Sequence, residues 1–192
     1  GRVLVDGRDA RTVPLPALRR RLAIVPQDPL MFSGTLRSNL DLHGSHSDAE
    51  LWEVLRLACL EEQVRRLERG LDEPVQEKGS NFSAGTVQLL CIARILLGRQ
   101  AGVVFLDECT ASVDCETDAA VQAAVRRAMA GRTVVCIAHR IRTILDYDRI
   151  ACLDAGVLAE IGPPGELLRS PGSLFAKLAG ASSQEGAPAG GP

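Results

Sequence analysis

No stretch of the 192-residue sequence stays apolar for long enough to cross a bilayer. A membrane helix needs roughly 20 such residues, and the longest apolar runs here, 103–106 and 134–138, stop far short. Basic tracts are missing as well. The formal net charge is −2 and arginines and glutamates are interspersed, so no phosphate-backbone partner is expected and nucleic acid binding is set aside. No signal-peptide pattern precedes the opening Gly1-Arg2-Val3-Leu4-Val5-Asp6-Gly7, which reads as a start inside a sheet. The cysteines, Cys59, Cys91, Cys109, Cys115, Cys136 and Cys152, stand singly with no C-x-x-C pair and no nearby histidine cluster. They read as reduced core residues of a cytosolic compartment rather than as metal ligands.

What is present suits a folded α/β domain: 46% of residues are hydrophobic and 24% charged, enough for a real core. Three blocks follow. Residues 1–34 carry short apolar strands at 3–5 and 22–25 around an arginine-rich helical turn at 18–21. Residues 35–98 are helical in pattern and suggest a helical subdomain; one helix starts at Ser47, where Ser47-Asp48-Ala49-Glu50 has capping-box spacing ahead of Leu51, Val54 and Leu55. From 102 to 161 strands (103–106, 134–138, 150–153, 157–161) alternate with a helix at about 116–129, which predicts a sheet covered on both faces. Residues 179–192 are small, polar and turn-rich and are expected to be disordered.

The chemistry begins at strand ends. Val103-Val104-Phe105-Leu106-Asp107-Glu108 puts two carboxylates where a buried strand emerges, the edge at which α/β sheets bind ligands. Asp107 suits a water-mediated Mg²⁺ contact and Glu108 could polarise a water for attack on a γ-phosphate. Leu22-Ala23-Ile24-Val25-Pro26-Gln27 ends on an amide oxygen able to complete a Mg²⁺ shell, and Val134-Val135-Cys136-Ile137-Ala138-His139 ends on an imidazole able to donate to a phosphate oxygen. Each pattern is ordinary alone. Three strands ending in Mg²⁺- or phosphate-compatible side chains together are not.

In order and spacing, these residues resemble the ABC (ATP-binding cassette) transporter nucleotide-binding domain. Pro26-Gln27-Asp28-Pro29 is similar to the Q-loop, Phe82-Ser83-Ala84-Gly85-Thr86 to the signature motif, residues 103–108 to the Walker B strand, Ala111-Ser112-Val113-Asp114 to the D-loop, and Ala138-His139-Arg140 to the switch histidine. Residues 32–41 and 107–114 further resemble the second nucleotide-binding domain of the C subfamily, the multidrug-resistance-associated exporters of organic anions and conjugates. The resemblance covers 1–178 and implies a P-loop NTPase-like core with a helical subdomain at about 35–98. It implies ATP and Mg²⁺ as ligands, with Gln27 and Asp107 on Mg²⁺, Glu108 as base, His139 on the γ-phosphate and Asp114 at the dimer interface. Ser83 and Gly85 would meet the nucleotide of a head-to-tail partner nucleotide-binding domain, through backbone N–H groups and the helix dipole; a plain helix N-cap at Ser83 would look the same in sequence. The implied partners include transmembrane domains, with this domain on the cytosolic face, at the plasma membrane by family analogy.

Two departures from the family pattern stand out. The usual signature is Leu-Ser-Gly-Gly-Gln, or Leu-Ser-Val-Gly-Gln in this subfamily, so Thr86 loses an amide and Val87 a basic side chain. Such contacts contribute roughly 0.5–1.5 kcal/mol each, and the composite site this loop completes is expected to be weakened. That site is the degenerate one in the C subfamily, and Glu108 would serve the opposite one. Second, no G-x-x-x-x-G-K-[ST] phosphate loop occurs in the sequence; the family places it upstream of Gly1. Two other classes compete: a soluble ABC ATPase of DNA repair or translation, which would show coiled-coil heptads or basic tracts, and a non-catalytic interaction domain, which would not need Asp107, Glu108 and His139. A polypeptide of these 192 residues alone should show no Mg-ATP affinity below about 1 mM, because the phosphate cradle supplies several charge-assisted bonds of about 1.5–3 kcal/mol each. Titration calorimetry checks this, and a sub-millimolar constant would contradict it.

Overall fold

The computed structural model describes residues 1–98, 101–107, 126, 129–138 and 141–184. Contacts divide the chain into two compact units, Gly1–Ile137 and Ala138–Pro192. The helix expected at 116–129 lies almost wholly outside the described residues.

The first unit opens with a hairpin. Strands β1 (Leu4–Val5) and β2 (Arg8–Asp9) pair antiparallel across Asp6 and Gly7, both at positive φ (50° and 76°), the backbone a two-residue hairpin turn requires. Helix α1 (Leu15–Arg21) begins after Pro14 and ends in three arginines, which suit the negative end of its dipole. It leads into β3 (Leu22–Val25). After the Pro26–Gln27 exit come the two-residue strand β4 (Gly34–Thr35) and α2 (Leu36–Leu40), then α3 (Asp48–Leu57) and α4 (Glu61–Arg65). Strand β5 (Pro74–Val75) pairs back on β4, and α5 (Ala84–Leu97) follows.

The Ser47 capping box forms as its spacing predicts: the Glu50 carboxylate accepts from the Ser47 N–H at 3.0 Å while Ser47 Oγ caps the Glu50 N–H at 3.4 Å. Arg37 joins α2 to Asp72 at 3.0 Å and also pairs with Asp48 at the start of α3. The guanidinium holds the Asp48 carboxyl below its ordinary range. Both carboxylates are open to water, so these pairs contribute little to stability.

Three parallel strands form the main sheet in the order β3-β6-β7, with β6 at Val103–Asp107 and β7 at Thr133–Ile137. On one face Val25, Val104 and Leu106 are buried against α5, whose residues 86–93, 96 and 97 are all buried. Leu36, Leu40, Leu51 and Leu55 close the same core from α2 and α3. The other face carries the alternate residues of the same strands. Ile24, Phe105 and Val135 stand abreast in register and are 62%, 39% and 44% exposed. Along each strand the side chains alternate between the face packed on α5 and the opposite one, which a run of like residues conceals.

In the second unit, α6 (Ile141–Ile144) precedes the antiparallel hairpin of β8 (Ile150–Asp154) and β9 (Val157–Gly162). Its turn, Ala155-Gly156, is again at positive φ (47° and 80°). Helices α7 (Pro164–Arg169) and α8 (Leu174–Gln184) complete it around Ile150, Cys152, Leu167 and Phe175. Helix α8 runs to Gln184, six residues into the tail expected to be disordered from 179. The start of this helix is held by a carboxylate from β9. The Glu160 carboxylate on β9 accepts from Ser173 Oγ at 2.9 Å and from the Leu174 and Phe175 N–H groups at 3.2 and 2.6 Å. These satisfy the start of α8 with a full negative charge. No helix among the described residues is long and apolar enough to cross a membrane.

Donation from the Phe175 N–H, with Ser173 and Leu174, holds the Glu160 carboxyl below its ordinary value. A group depressed in this way stabilises the fold above the unfolded carboxyl range and ceases to do so as pH falls through its folded value. Hydrogen exchange should therefore find the Leu174 and Phe175 amides protected at neutral pH and losing protection in acid. Glu160→Gln should lower the protection at pH 7 and flatten that dependence. In the first unit, Gly79 is buried at φ +72°, and a Cβ there would lie 3.0 Å from Val87 Cγ2 and 3.1 Å from Met31 Cγ. Gly79→Ala should lower equilibrium stability by about 1–3 kcal/mol, read as a lower denaturant midpoint.

Candidate functional site

The parallel pairing of β3 with β6 brings two of the expected ligands to one sheet edge. Val25 is level with Leu106, so Pro26 follows beside Asp107, and Gln27 comes one residue beyond. Asp107 is half-buried at the end of β6 and Gln27 is exposed just past β3. A carboxylate and an amide oxygen at neighbouring strand ends are hard oxygen donors that fit Mg²⁺, whose remaining positions would go to water and phosphate oxygens. Among the described residues no cluster of three or more His, Cys, Asp or Glu side chains could hold a metal, so the pair offers part of a shell rather than a closed protein cage. Glu108, Asp114 and His139 lie outside the described residues.

The signature segment is built at the start of α5. Ser83 sits in extended backbone (φ −66°, ψ 153°) as the N-cap, and its Oγ accepts the Thr86 N–H at 3.1 Å. Gly85 falls in the first turn, half-buried, while Ser83 and Ala84 are exposed. The approach to Ser83 is fixed upstream: Asn81 Oδ1 accepts from the Gln76 N–H at 3.0 Å and its Nδ2 donates to the Pro74 carbonyl at 2.9 Å. The preceding turn passes through Lys78 and Gly79, both at positive φ.

Thr86 is not an idle replacement. It is buried at 7% exposure, its Oγ1 lies 2.8 Å from Ser83 Oγ, and Gln63 Nε2 on α4 donates to it at 3.1 Å. The sequence reading treated position 86 only as a lost amide. Ser83 directly ahead of an apolar helical run was the available signal for the cap. Nothing in the sequence points to Gln63, 23 residues away.

A second set of contacts ties this helix to the segment that follows Gln27. Arg94, one turn from the end of α5, donates through Nη1 to the Leu30 carbonyl at 3.1 Å and through Nε to the Asn39 carbonyl at 2.7 Å. Asn39 is 2% exposed. Its Oδ1 accepts from the Phe32 N–H at 2.8 Å and its Nδ2 donates to the Phe32 and Thr35 carbonyls at 2.8 and 3.0 Å. One buried amide and one guanidinium thus hold residues 30–35 against α5, and a buried amide satisfied on both sides is well specified. Burial pushes the neighbouring Cys91 thiol up, as expected of an inert core cysteine.

The ABC transporter family pattern matches residues 1–111. The chain is 46% identical over 182 residues to human ATP-binding cassette sub-family C member 2, covering 94% of this chain and 12% of that protein. It is 47% identical over 175 residues to ABC transporter C family member 3 of Dictyostelium discoideum, covering 91% and 12%. It is 44% identical over 190 residues to a probable multidrug resistance-associated protein of Drosophila melanogaster, covering 97% and 14%. The chain thus spans about an eighth of the length of these relatives. Among solved structures, a bacterial Atm1-family ABC exporter with ATP bound superposes with a TM-score of 0.87 at 35% identity, covering 95% of this chain and 32% of that one. With more than half of its residues under the family pattern, and with strand ends and helix start arranged as described, this chain belongs to the ABC transporter family.

Proposed function

We propose that this chain is the nucleotide-binding domain through which ATP binding and hydrolysis drive export of organic anions, conjugates or drugs by a C-subfamily transporter. The observation that carries the reading is the convergence of Gln27 and Asp107 on one edge of a parallel sheet, with Ser83 capping a long helix in the same unit. The likeness of nearly the whole chain to C-subfamily members supports the subfamily. In the intact transporter the domain works on the cytosolic face, at the plasma membrane, with transmembrane domains and a second nucleotide-binding domain packed head to tail.

Within that assembly Gln27 and Asp107 would hold Mg²⁺, Asp107 through water, and the bound ion would supply positive charge against the phosphate oxygens. Glu108 takes the proton of a water as its oxygen bonds to the γ-phosphorus and the bond to the ADP oxygen breaks. His139 donates to a γ-phosphate oxygen, and Asp114 organises the interface between the two domains. The signature acts elsewhere: Ser83 Oγ and the first N–H groups of α5, around Gly85, meet the nucleotide held by the partner's phosphate loop. Arg94 and Asn39 link that helix to the segment after Gln27, so a shift at the signature is transmitted to the segment that faces the transmembrane part.

In the full-length transporter, Glu108→Gln should leave Mg-ATP binding nearly unchanged and lower turnover by a factor of about 10² to 10⁴. Nucleotide binding and phosphate release measured on the same preparation check this, and hydrolysis at the parent rate would remove Glu108 from the role of base.

A further inference from the structure

We propose that Gln63 and Thr86 are positioning residues that turn the Ser83 hydroxyl outward as a hydrogen-bond donor to a nucleotide phosphate. The proposal rests on the reading of Ser83 as a phosphate contact given above.

Thr86 Oγ1 receives an N–H from Gln63 Nε2 at 3.1 Å. Thr86 is buried, and a buried hydroxyl must place its own proton on an acceptor. Among the described residues the acceptor within reach is Ser83 Oγ at 2.8 Å. Ser83 Oγ already accepts the Thr86 N–H at 3.1 Å. Its two lone pairs are then both taken, and only its O–H remains to be directed away from the helix. Ser83 is exposed, so that proton faces the surface where an anion can come. A hydroxyl that can only donate favours a phosphate oxygen and disfavours a cation or a donor group. Two successive donations into it also polarise its O–H bond and strengthen what it gives.

The direction of the chain is set at Gln63. An amide N–H there sends the protons from α4 through Thr86 to Ser83. An acceptor there would draw the Thr86 proton inward, force Ser83 to donate to Thr86, and leave Ser83 with nothing to offer a phosphate. Thr86 therefore replaces the family's glutamine with a two-residue device that spans α4 and α5. Simple loss of a contact would have needed neither the burial of Thr86 nor its bond to Gln63.

The test uses the full-length transporter and photo-crosslinked Mg-8-azido-ATP, read as label on the partner domain whose nucleotide this signature completes. Ser83→Ala comes first. If it leaves the label unchanged, Ser83 does not meet the nucleotide and the proposal falls with that reading. With Ser83→Ala lowering the label, Thr86→Val should lower it about fivefold, the effect of one net hydrogen bond, while Thr86→Ser keeps it near the parent level. Loss in both, or in neither, overturns the relay and leaves the Ser83 reading standing. Gln63→Glu, at an exposed position, installs an acceptor and should lower the label at least as far as Thr86→Val. Added to Thr86→Val it should do nothing more, because the hydroxyl that carries its effect is gone. A further fall in the double variant would mean that the new charge acts directly on the nucleotide, and would overturn the proposal.

Discussion

Helix α5 is apolar around most of its circumference, and ten of its fourteen residues are buried. Such a helix has to be enclosed, and the first unit is organised by how this is done. The packed face of the β3-β6-β7 sheet covers one side through Val25, Val104 and Leu106, and α2 and α3 cover another through Leu36, Leu40, Leu51 and Leu55. Because one buried helix is shared by sheet and helical region, the two cannot move apart without exposing a core. The functional elements are fixed to that helix: Ser83 at its start, the segment after Gln27 along its end.

Polar contacts then refine what burial only approximates. Arg94 meets its surroundings through carbonyl oxygens of Leu30 and Asn39, so its effect is on backbone position. Asn39 does the same for Phe32 and Thr35. The network is satisfied on each side, and for that reason it specifies one path for residues 30–35. In the second unit Glu160 plays a comparable part, adding from a strand to the cap that Ser173 gives the start of α8.

The altered signature takes on a different meaning beside this frame. Counted against the family pattern, Phe82-Ser83-Ala84-Gly85-Thr86 is short of polar groups. Counted by hydrogen bonds, Thr86 is buried and joined to both Ser83 and Gln63. A motif comparison scores the side chain that is missing, whereas the fold depends on where the replacement's proton goes.

The sequence by itself determined the local elements and the order of the site. Capping spacing placed the start of α3 at Ser47 and apolar runs ended by Gln27 and by Asp107-Glu108 marked the β3 and β6 exits, because each of these signals is local; motif order along the chain identified the family without any knowledge of packing. Tertiary structure alone decided which residues of each apolar run meet α5, since Ile24, Phe105 and Val135 read like their buried neighbours until the strands are set in register. It also decided how the start of α8 is held, through Glu160, and what Thr86 does, through Gln63. Both depend on partners distant in sequence, and a residue's hydrogen-bond partner across such a gap is set by packing rather than by its neighbours in the chain.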